Sequence, residues 1–530
     1  MKGKIVEAKG FWKKIFVLAC YGAVIFFASD AWALKAVGAK AVGMSGARIA
    51  SVDDGKAYYY NPAVYGFFGY KNTIKQEDNA SAEGQITAPA TTIYKKVASD
   101  NNELHRKNIG IGVFDGGVDL QVLPDGERLV GIFENFKKDF EQTTLQGSSE
   151  EVALMIRLAN AVGKFSTMNS PLVLTNFNAN LMNIRWGNWG FSPNVDVYGY
   201  AKLADFRVLG AYREPAQIAI QAYAAYIPEA QYYDMNANYY GTDVATTQAI
   251  NNKLNVLKSN GLLDGTTIKV VAYAVNQQIK NGGLKATDAL QALDVVEILT
   301  NGTQTAGENA TITDMVAGRL VGRAIAIAEF PVSYGYAFDE NFSVGGNFKL
   351  MRARDYERIT AYANGSTVST DRHQDSSALG FDLGALYRRE NYQLGMVARN
   401  INSPTFAGAD GSSIKLKPEL AAGVAWIPFS TLTVEANYDI TKQERHGAVT
   451  EQFLSLGAEF DIFRFLALRA GIANNLAASE RDLTYSAGVG FNFWLMRVDF
   501  GASMAGGTIA YEGKNYPKNL QLALNVEADF

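Results

Sequence analysis

Two features of the sequence predict an all-β fold, a transmembrane antiparallel β-barrel of about fourteen strands. Residues 518–530 alternate apolar and polar side chains, with only Ala523 out of the pattern, and the sequence ends on Phe530. Because successive side chains of a strand leave on opposite faces, this segment suits a wall between lipid and water. The same alternation recurs upstream at the spacing of outer-membrane barrels. We expect outer-membrane lipid and the barrel-assembly machinery to be partners, with Phe530 as the assembly signal.

The amino terminus predicts export. Basic residues precede an apolar run of about fourteen residues from Ile15 to Ala28, and residues 31–33 read Ala-Trp-Ala, an A-x-A cleavage site. A membrane-spanning helix needs roughly 18 to 20 apolar residues, so the run is short for an anchor. We expect residues 1–33 to be a cleaved signal peptide, the mature chain to begin at Leu34, and the protein to reside in the outer membrane of a Gram-negative bacterium.

Composition narrows the function classes further. The 530 residues carry a formal net charge of −4, so the chain offers no basic surface for nucleic acid. The single cysteine, Cys20, lies in the predicted leader, which leaves the mature chain without a disulfide, a thiolate metal site or a redox pair. No linker rich in proline, glycine and serine divides the sequence after residue 66, so we expect residues 67–530 to form one barrel with insertions.

The strands can be placed by working back from the carboxyl terminus. Alternation predicts strands near 329–338, 341–352, 377–388, 391–400, 415–427, 430–441, 451–462, 464–474, 482–494, 497–507 and 518–530. The connections between them alternate between very short and longer, and outer-membrane barrels have short periplasmic turns and long external loops. Before residue 329 the pattern is weaker, and strands near 106–118, 190–204 and 217–234 bring the total to fourteen, an even number.

Two long segments between the early strands are predicted to be helical insertions, near residues 125–165 and 245–325. In the first, Leu129 and the phenylalanines that follow it have the spacing of one helix face. In the second, Leu254 and Leu257 have that spacing. Strand parity places both insertions on the external side, so we expect a helical cap over the barrel mouth.

Charged residues on the predicted inward faces indicate a wet interior. In one strand Leu432 and Val434 alternate with Thr433 and Glu435. An acidic side chain at the lipid midplane would cost on the order of 2 kcal/mol, so a reversed register would carry a large penalty. We assign eight charged residues to the lumen: Lys349, Asp382, Arg399, Glu435, Asp439, Glu459, Arg469 and Asp499. Two interpretations stay open for them, a salt-bridged interior that only solvates the barrel and a track that binds a ligand.

Residues 40–68 do not have the pattern of a transmembrane strand. They combine glycines and alanines with the acidic pair Asp53-Asp54 and the turn Asn61-Pro62-Ala63. This combination resembles the amino-terminal plug of the FadL-like outer-membrane transporters of long-chain fatty acids and hydrophobic compounds. The sequence is more similar still to the TraF-like conjugal transfer family, a branch of that superfamily, through the segments 381–387, 394–404, 416–418 and 422–425.

The FadL-like resemblance implies both an architecture and a route. In that family a plug occludes a fourteen-stranded barrel, and ligands pass from an external apolar groove through the lumen and leave by a side opening. By this resemblance residues 34–66 are the plug. Its residues of interest, either for gating or only for an ordered turn, are Asp53, Asp54, Asn61, Pro62 and Ala63.

The resemblance further implies a passive channel for hydrophobic small molecules, without a cofactor. Phe133, Phe136 and Phe140, on the predicted external helix, are then candidates for the surface on which a ligand lands. The same apolar stripe could instead pack on a neighbouring helix. The alternative hypothesis is a non-transport role, as an outer-membrane component of conjugation or secretion or as a surface platform that binds a partner protein.

Catalysis is not predicted. The three histidines, His105, His373 and His446, lie in or beside predicted loops and have no metal-ligand spacing around them. The segment from Gly43 to Ala47 resembles a nucleophile elbow but lacks its final glycine. We therefore expect no catalytic residue, no metal and no cofactor.

Overall fold

A computed structural model describes the chain over residues 36–68, 109–142, 160, 163–165, 167–168, 170–180, 182–208, 244–259, 265–280, 285–300, 316–363, 366–445, 449–463, 465–477, 483–493 and 496–529. Three predictions fall outside the described residues. They concern the signal peptide at 1–33, the strand at 217–234 and the carboxyl-terminal Phe530.

One antiparallel sheet dominates the described chain and closes on itself. The strands are β1 Ile109–Val122, β2 Pro171–Asn180, β3 Asn183–Trp186, β4 Trp189–Phe191, β5 Asn194–Val208, β6 Val316–Ala337, β7 Phe342–Ala363, β8 Ser366–Arg388, β9 Tyr392–Arg399, β10 Thr405–Ala407, β11 Ser413–Lys415, β12 Glu419–Phe429, β13 Leu432–Asp439, β14 Gln443–Arg445, β15 Val449–Glu451, β16 Phe453–Ile462, β17 Leu466–Asn475, β18 Thr484–Phe493, β19 Met496–Ala505, β20 Thr508–Tyr511, β21 Lys514–Pro517 and β22 Asn519–Asp529.

Sixteen of these strands form the closed sheet, and the other six form three loop hairpins. Strands β2 and β3 follow each other along one crossing of the wall, and so do β4 and β5. The sixteen strands therefore make fourteen crossings around the ring. The pairing of β6 with β7 and of β1 with β2 completes the ring. The predicted fold class, an antiparallel transmembrane barrel of about fourteen strands, is confirmed.

One member of the predicted set of strands is different. The path of β2 and β3, over residues 171–186, was not predicted, and a strand at 217–234 was expected instead. The ring closes without residues 217–234, because β5 pairs directly with β6 from Asn194 opposite Glu329 to Val208 opposite Val316. The ring therefore has the predicted number of positions with residues 171–186 as one of them, and the predicted strand at 217–234 lies outside the described part of the chain.

The strand at 171–186 escaped prediction because its alternation changes phase. In β2 the inward residues are even-numbered, such as Asn178 and Asn180, whereas in β3 they are odd-numbered, Asn183 and Arg185. An extra residue between the two halves turns every later side chain to the opposite face. The segment therefore has no single period of two over its length.

Strands β6, β7 and β8 contain 22, 22 and 23 residues, about twice the length that crosses a membrane. On the outer face of β7, Phe348 and Leu350 are exposed and apolar, whereas the next outward residues, Arg352 and Arg354, are charged. Beyond this level the three strands form an external sheet. The prediction found only their membrane-crossing parts, because outside lipid neither face of a strand has to be apolar.

The described helices are α1 Ala39–Gly43, α2 Ala57–Tyr60, α3 Val64–Phe68, α4 Pro124–Gln142, α5 Val244–Ser259, α6 Gly265–Lys280 and α7 Ala286–Thr300. Helix α4 lies in the first insertion and α5 to α7 lie in the second, and both insertions leave the barrel at the end that carries the long loops. β6 begins at Val316, so the end of the predicted second insertion, 316–325, is strand. None of the described helices is long and apolar enough to cross a membrane.

The wall has the predicted apolar outer surface and polar inner surface. Where β16 pairs with β17, Leu456 lies opposite Ile472 and both are exposed on the outer surface. Three residues further along β16, Glu459 lies opposite Arg469 and both are on the inner surface. This arrangement follows from the cost of placing an ionised side chain in hydrocarbon.

Aromatic side chains gather at the periplasmic end of β6 and β7. The rings of Tyr336 and Phe338 lie 5.1 Å apart, and those of Phe338 and Phe342 lie 5.6 Å apart. Outer-membrane barrels carry aromatic girdles at the membrane interface, where rings with a polar and an apolar side are favoured. Tyr336 and Phe338 occupy a position that suits such a girdle.

Candidate functional site: the plug and its seat

Residues 36–68, here called the plug, lie inside the barrel. They consist of the three short helices α1, α2 and α3 joined by turns. Helix α1 lies against β17, β18, β19 and β22, whereas α3 lies against β6 and β7 across the ring. With few exceptions the residues from Ala39 to Gly66 are buried. The plug therefore spans the lumen from one side of the wall to the other.

Both acids of the predicted pair form ion pairs inside the plug. The Arg48 guanidinium lies 2.6 Å from Asp53 and 3.0 Å from Asp54, and the Lys40 ammonium lies 2.9 Å from Asp53. Burial alone would lower the pKa of Arg48, but the two carboxylates outweigh burial and hold this pKa above its ordinary value. Two cations and two anions thus neutralise each other away from water and cross-link the first half of the plug.

The Asn61-Pro62-Ala63 turn connects the plug to the wall. Asn61 is fully buried, and its side-chain oxygen accepts a hydrogen bond from the Ala63 N–H at 3.1 Å, which closes the turn. Its side-chain nitrogen donates to the Ile49 carbonyl at 3.2 Å and to the Ala385 carbonyl of β8 at 3.0 Å. One side chain therefore satisfies backbone groups in the turn, in the rest of the plug and in the wall.

Two wall carboxylates accept backbone N–H groups of the plug. Glu435 on β13 accepts from Ala50 at 2.8 Å and from Ser51 at 2.9 Å, and Glu527 on β22 accepts from Gly55 at 3.2 Å. A buried irregular segment leaves such N–H groups without the partners that a helix or sheet would supply. Of the predicted lumen charges, Glu435 therefore holds the plug directly, and the equivalent role of Glu527 was missed.

Three of the predicted lumen charges form one cluster on β16, β17 and β19. Arg469 pairs with Glu459 and lies 2.9 Å from Asp499, and Arg497 lies 3.0 Å from Asp499. The side chains of Arg469 and Asp499 have no exposed surface. Each buried charge in the cluster has an opposite charge beside it, which offsets the cost of removing it from water.

The other predicted lumen charges lie on the remaining strands around the plug. Lys349 lies 3.1 Å from Asp382. The Arg399 guanidinium lies 4.0 Å from the centre of the Tyr59 ring of the plug, a cation–π contact. Asp439, near the external end of β13, accepts a backbone N–H of β16 at 2.9 Å.

The structure thus brings all eight predicted lumen charges to the inner surface of the wall. Their contacts support the salt-bridged interpretation, and a ligand track remains a prediction. Within the part of the chain that the structure describes, no group of three or more His, Cys, Asp or Glu side chains could hold a metal ion.

Sequence reasoning missed a ring of glycines in the wall. A Cβ atom added at Gly395 would lie 2.5 Å from the Ile49 carbonyl oxygen, and one added at Gly457 would lie 2.6 Å from the Met44 carbonyl oxygen, closer than real Cβ atoms approach. The plug backbone therefore touches the wall where the wall has no side chains. We call the glycines whose added Cβ would meet the plug backbone the seat glycines: Gly335, Gly345, Gly395, Gly457, Gly471, Gly488 and Gly501.

The predicted landing residues Phe133, Phe136 and Phe140 all lie in α4, at the external mouth. Their side chains are outside the described part of the structure. Earlier on the same helix, Leu129 is buried in a cluster with Phe165, which attaches α4 to the rim of the barrel. A landing role for the three phenylalanines stays a prediction.

The hydrogen-bond ladder of the wall is interrupted beside the plug. Among the described residues, which leave out residue 181, the pairing of β2 with β5 ends at Asn180 opposite Asn194, and the next pair is Ile184 opposite Phe191. The β2–β3 path has one residue more across this gap than the β4–β5 path, which is a β-bulge. Pro193 lies in the gap and has no N–H to donate.

The neighbouring strand is irregular at the same height. The pairing of β1 with β22 shifts by one residue between Gly112 and Phe114. β1 and the β2–β3 path keep their register with each other, since Gly112 lies opposite Asn183 and Asp115 lies opposite Asn180. β1 and the β2–β3 path therefore bulge together, whereas β22 on one side of them and the β4–β5 path on the other have no extra residue. The plug lies directly behind them, because Asp115 pairs with a lysine of the plug at 3.1 Å.

On the external side of the plug, the part of the lumen lined by β6 and β7 is apolar. Ile325 and Ile327 on β6 and Met351 and Ala353 on β7 belong to one buried cluster there. Nearer the plug, the same two strands carry inward polar residues such as Lys349. The lining of this side thus changes from apolar to charged on the way to the plug.

A protein-family model described as "F plasmid transfer operon, TraF, protein" matches residues 226–439. The matched range contains the segments near 381–404 and 416–425 on which the TraF-like resemblance was based. The predicted resemblance to this family is confirmed. Among curated proteins, no significantly similar sequence was found.

Several solved structures align with nearly the whole chain at low similarity. The toluene transporter TbuX of Ralstonia pickettii is 12% identical with a TM-score of 0.39, over 94% of this chain and 99% of that one. The toluene transporter TodX of P. putida is 10% identical with a TM-score of 0.39, over 94% and 99%. A FadL homologue of Pseudomonas aeruginosa is 9% identical with a TM-score of 0.36, over 93% and 98%. At these values the alignments decide neither the fold nor the ligand of this chain.

Proposed function

We propose that this protein is an outer-membrane channel through which hydrophobic small molecules pass without an energy source. The observation that carries the proposal is the interrupted ladder near Asn180 and Pro193, in the wall beside the plug. The plug backbone lies against the seat glycines, so the path along the barrel axis is occupied. A side exit is the route that leaves the plug in place.

The chemistry of the lining favours an apolar cargo. Ile327 and Met351 offer an apolar surface external to the plug, whereas a cargo continuing along the axis would meet buried charges. Burial of apolar surface is favourable by roughly 25 cal/mol per Å², so a hydrophobic molecule gains free energy by leaving through the wall into lipid. A polar solute would lose its hydration on the same route.

The predicted site residues take supporting roles in this proposal. The ion pairs of Asp53 and Asp54 and the hydrogen bonds of Asn61 keep the plug seated. The lumen charges neutralise one another and hold the plug backbone, as Glu435 does. A landing role for an incoming molecule is assigned to helix α4, which carries the three phenylalanines.

A variant that closes the gap tests the proposal. Deletion of Val113 and Met182 removes the extra residue from both bulged strands, and Pro193→Val supplies the missing N–H. The four strands can then pair without interruption. We expect purified variant barrels in liposomes to take up a hydrophobic fluorescent tracer no faster than empty liposomes, while the wild type takes it up measurably faster. Pro193→Val alone keeps both extra residues and serves as the matched control, with uptake near that of the wild type.

The outcomes separate the proposal from its alternative. Folding of each variant is checked by the change in electrophoretic mobility on heating. Equal uptake by the wild type and the folded gap-closed variant would rule out the side exit. No uptake by the wild type, together with a co-purifying conjugation or secretion protein, would instead support a non-transport platform.

A further inference from the structure

The hairpin of β10 and β11, residues 405–415, folds into the external half of the lumen. It connects β9 to β12 but forms a separate two-stranded sheet and is not part of the wall. Phe406 and Leu416 are each 1% exposed, and they pack against the inward side chains of Ile325 and Ile327. The apolar surface that β6 and β7 present to the lumen is therefore covered by the protein's own hairpin.

A polar clamp holds the tip of this hairpin. The Arg323 guanidinium of β6 lies 2.8 Å from Asp355 of β7 and 2.9 Å from Asp410 in the tip. The Ala409 N–H donates to Asp355 at 2.7 Å, and the Ser412 N–H donates to Asp410 at 3.0 Å. One arginine thus connects two strands of the wall to the hairpin, and charge-assisted hydrogen bonds of this kind are the stronger ones.

The base of the hairpin has the features of a hinge. Asn400 and Ser403 both have a φ of 52°, a left-handed conformation that residues other than glycine seldom adopt. Pro404 follows directly. Hinges are a few loop residues that absorb large φ/ψ changes while the elements on either side stay rigid. Asn400 is held to the wall by Lys349 and Asp382, so the hairpin can turn about Ser403 and Pro404, immediately before the segment outside the wall.

The hairpin and the plug are held in different ways. The plug backbone contacts seat glycines on many strands, and wall carboxylates accept its N–H groups. The hairpin is held by one apolar cluster, by the clamp at its tip and by a hydrogen bond from the Ala407 N–H to the Ser376 hydroxyl of β8. The hairpin can therefore leave the lumen without breaking any pairing of the closed sheet, whereas the plug cannot move without losing many contacts.

We propose that the 405–415 hairpin is an external gate that occupies a ligand-binding site. This site is the apolar surface of Ile325, Ile327, Met351 and Ala353. A ligand binds there by taking the place of the hairpin side chains. The ligand is uncharged and apolar, because the four side chains offer it a hydrocarbon surface. This inference rests on the proposed channel function, since it assigns the control of access to that channel.

A reversible lock tests the gate through transport. The Ala407 N–H lies 3.2 Å from the Ser376 hydroxyl of β8, so Ala407→Cys with Ser376→Cys places two thiols close enough for a disulfide. Cys20 precedes the predicted cleavage site and leaves no competing thiol in the mature chain. We expect uptake of a hydrophobic tracer by this variant to fall to the level of empty liposomes when oxidised and to recover when reduced. Each single-cysteine variant should respond to neither treatment.

An unlatched variant tests the gate without transport. In Asp410→Asn the clamp loses its tip charge, while Asp375→Asn removes an ion pair of the same sheet, 2.7 Å from Arg354, that does not touch the hairpin. Each is combined with Leu416→Cys, whose side chain is buried while the gate is closed. We expect a membrane-impermeant thiol reagent to label the Asp410→Asn background about fivefold faster than the Asp375→Asn background.

The two measurements make failure of the gate distinguishable from failure of the channel. If the wild type takes up the tracer and the oxidised double-cysteine variant takes it up equally fast, the gate is overturned and the channel proposal stands. Absence of uptake in every sample would overturn the channel, and the gate would then be judged by labelling alone. Equal labelling of the two backgrounds would show that the clamp does not hold the hairpin.

Discussion

A single buried asparagine determines how the plug meets the wall. Asn61 closes its own turn and donates to carbonyls of both Ile49 and Ala385, so its side chain replaces the pairing that an irregular buried segment lacks. The resemblance singled out this residue, but only the folded structure identifies its partners. The partner in β8 is more than 300 positions away in the sequence, and no local pattern encodes that distance.

We predict that Asn61→Ala destabilises the folded barrel by about 1 to 3 kcal/mol, because it leaves buried backbone groups without partners. The measurement is the temperature at which the heat-modifiable band of the folded barrel is lost. Asn402→Ala is the matched control, since Asn402 also makes hydrogen bonds to two backbone groups but lies exposed in a loop. Equal loss in the two variants would show that burial of Asn61 contributes nothing.

The seat glycines lead to a second prediction at the same scale. Gly395→Ala would place a methyl group 2.5 Å from the Ile49 carbonyl oxygen, so the plug has to shift, at a cost of about 1 to 3 kcal/mol. Gly322→Ala on β6 is the control, because nothing lies within 4 Å of its added Cβ. Thermal stability should fall only in the first variant, and deletion of residues 36–66 should abolish the difference. A difference that survives the deletion would contradict the contact with the plug.

The clamp at the hairpin tip predicts a pH response. Burial would raise the pKa of Asp410, but hydrogen bonds from Ser412 and the charge of Arg323 outweigh burial and bring the pKa to about 2. Because the folded value lies below the ordinary one, the clamp is fully formed above about pH 4 and is lost as the pH falls through about 2. Asp355, the other carboxylate at the guanidinium, lies on the wall side of the clamp.

Amide hydrogen exchange of residues 405–415, corrected for the intrinsic pH dependence of exchange, checks this response. We expect equal protection from pH 5 to pH 8 in the wild type. Asp410→Asn should lower protection across the whole range. A wild-type hairpin that opens between pH 5 and pH 8 would mean that a different group controls it.

At the scale of the element, alternation identified the strands that have lipid on one side and the lumen on the other. In β16 and β17 the pattern is uninterrupted, because every second residue must be apolar to face hydrocarbon. It failed for residues 171–186, where the bulge reverses the phase. The feature on which the proposed side exit depends is therefore the same one that hid the strand from prediction.

Alternation also failed for the external halves of β7 and β8. There the facing side chains are cross-strand ion pairs, with Arg354 at 2.7 Å from Asp375 and Arg358 at 2.6 Å from Asp371. Both faces of such a hairpin can be polar, so no period of two is required. The clamp and the hairpin gate were missed for a related reason, because Arg323 and Asp410 meet only through the closed topology of the barrel.

At the scale of the whole molecule, the barrel and its contents are held together separately. Fourteen positions of the ring pair through backbone hydrogen bonds that do not involve the plug. Carboxylates such as Glu435 and Glu527 would lose plug N–H partners if the plug were absent, but water entering the lumen would solvate them. Removal of the plug should therefore leave a folded barrel whose periplasmic half is open along the barrel axis.

Two obstructions in series then control conductance, the plug and the hairpin gate. We predict that deletion of residues 36–66 raises the ion conductance of single barrels in planar bilayers only while the hairpin is open. Adding Asp410→Asn to the deletion should make the high-conductance state more frequent, and adding the oxidised Ala407→Cys, Ser376→Cys lock should suppress it. Full-length Gly322→Ala should retain the low conductance of the wild type. If the deletion alone gave a steady open pore that the lock did not affect, the hairpin would not obstruct the lumen, because obstructions in series each limit the current.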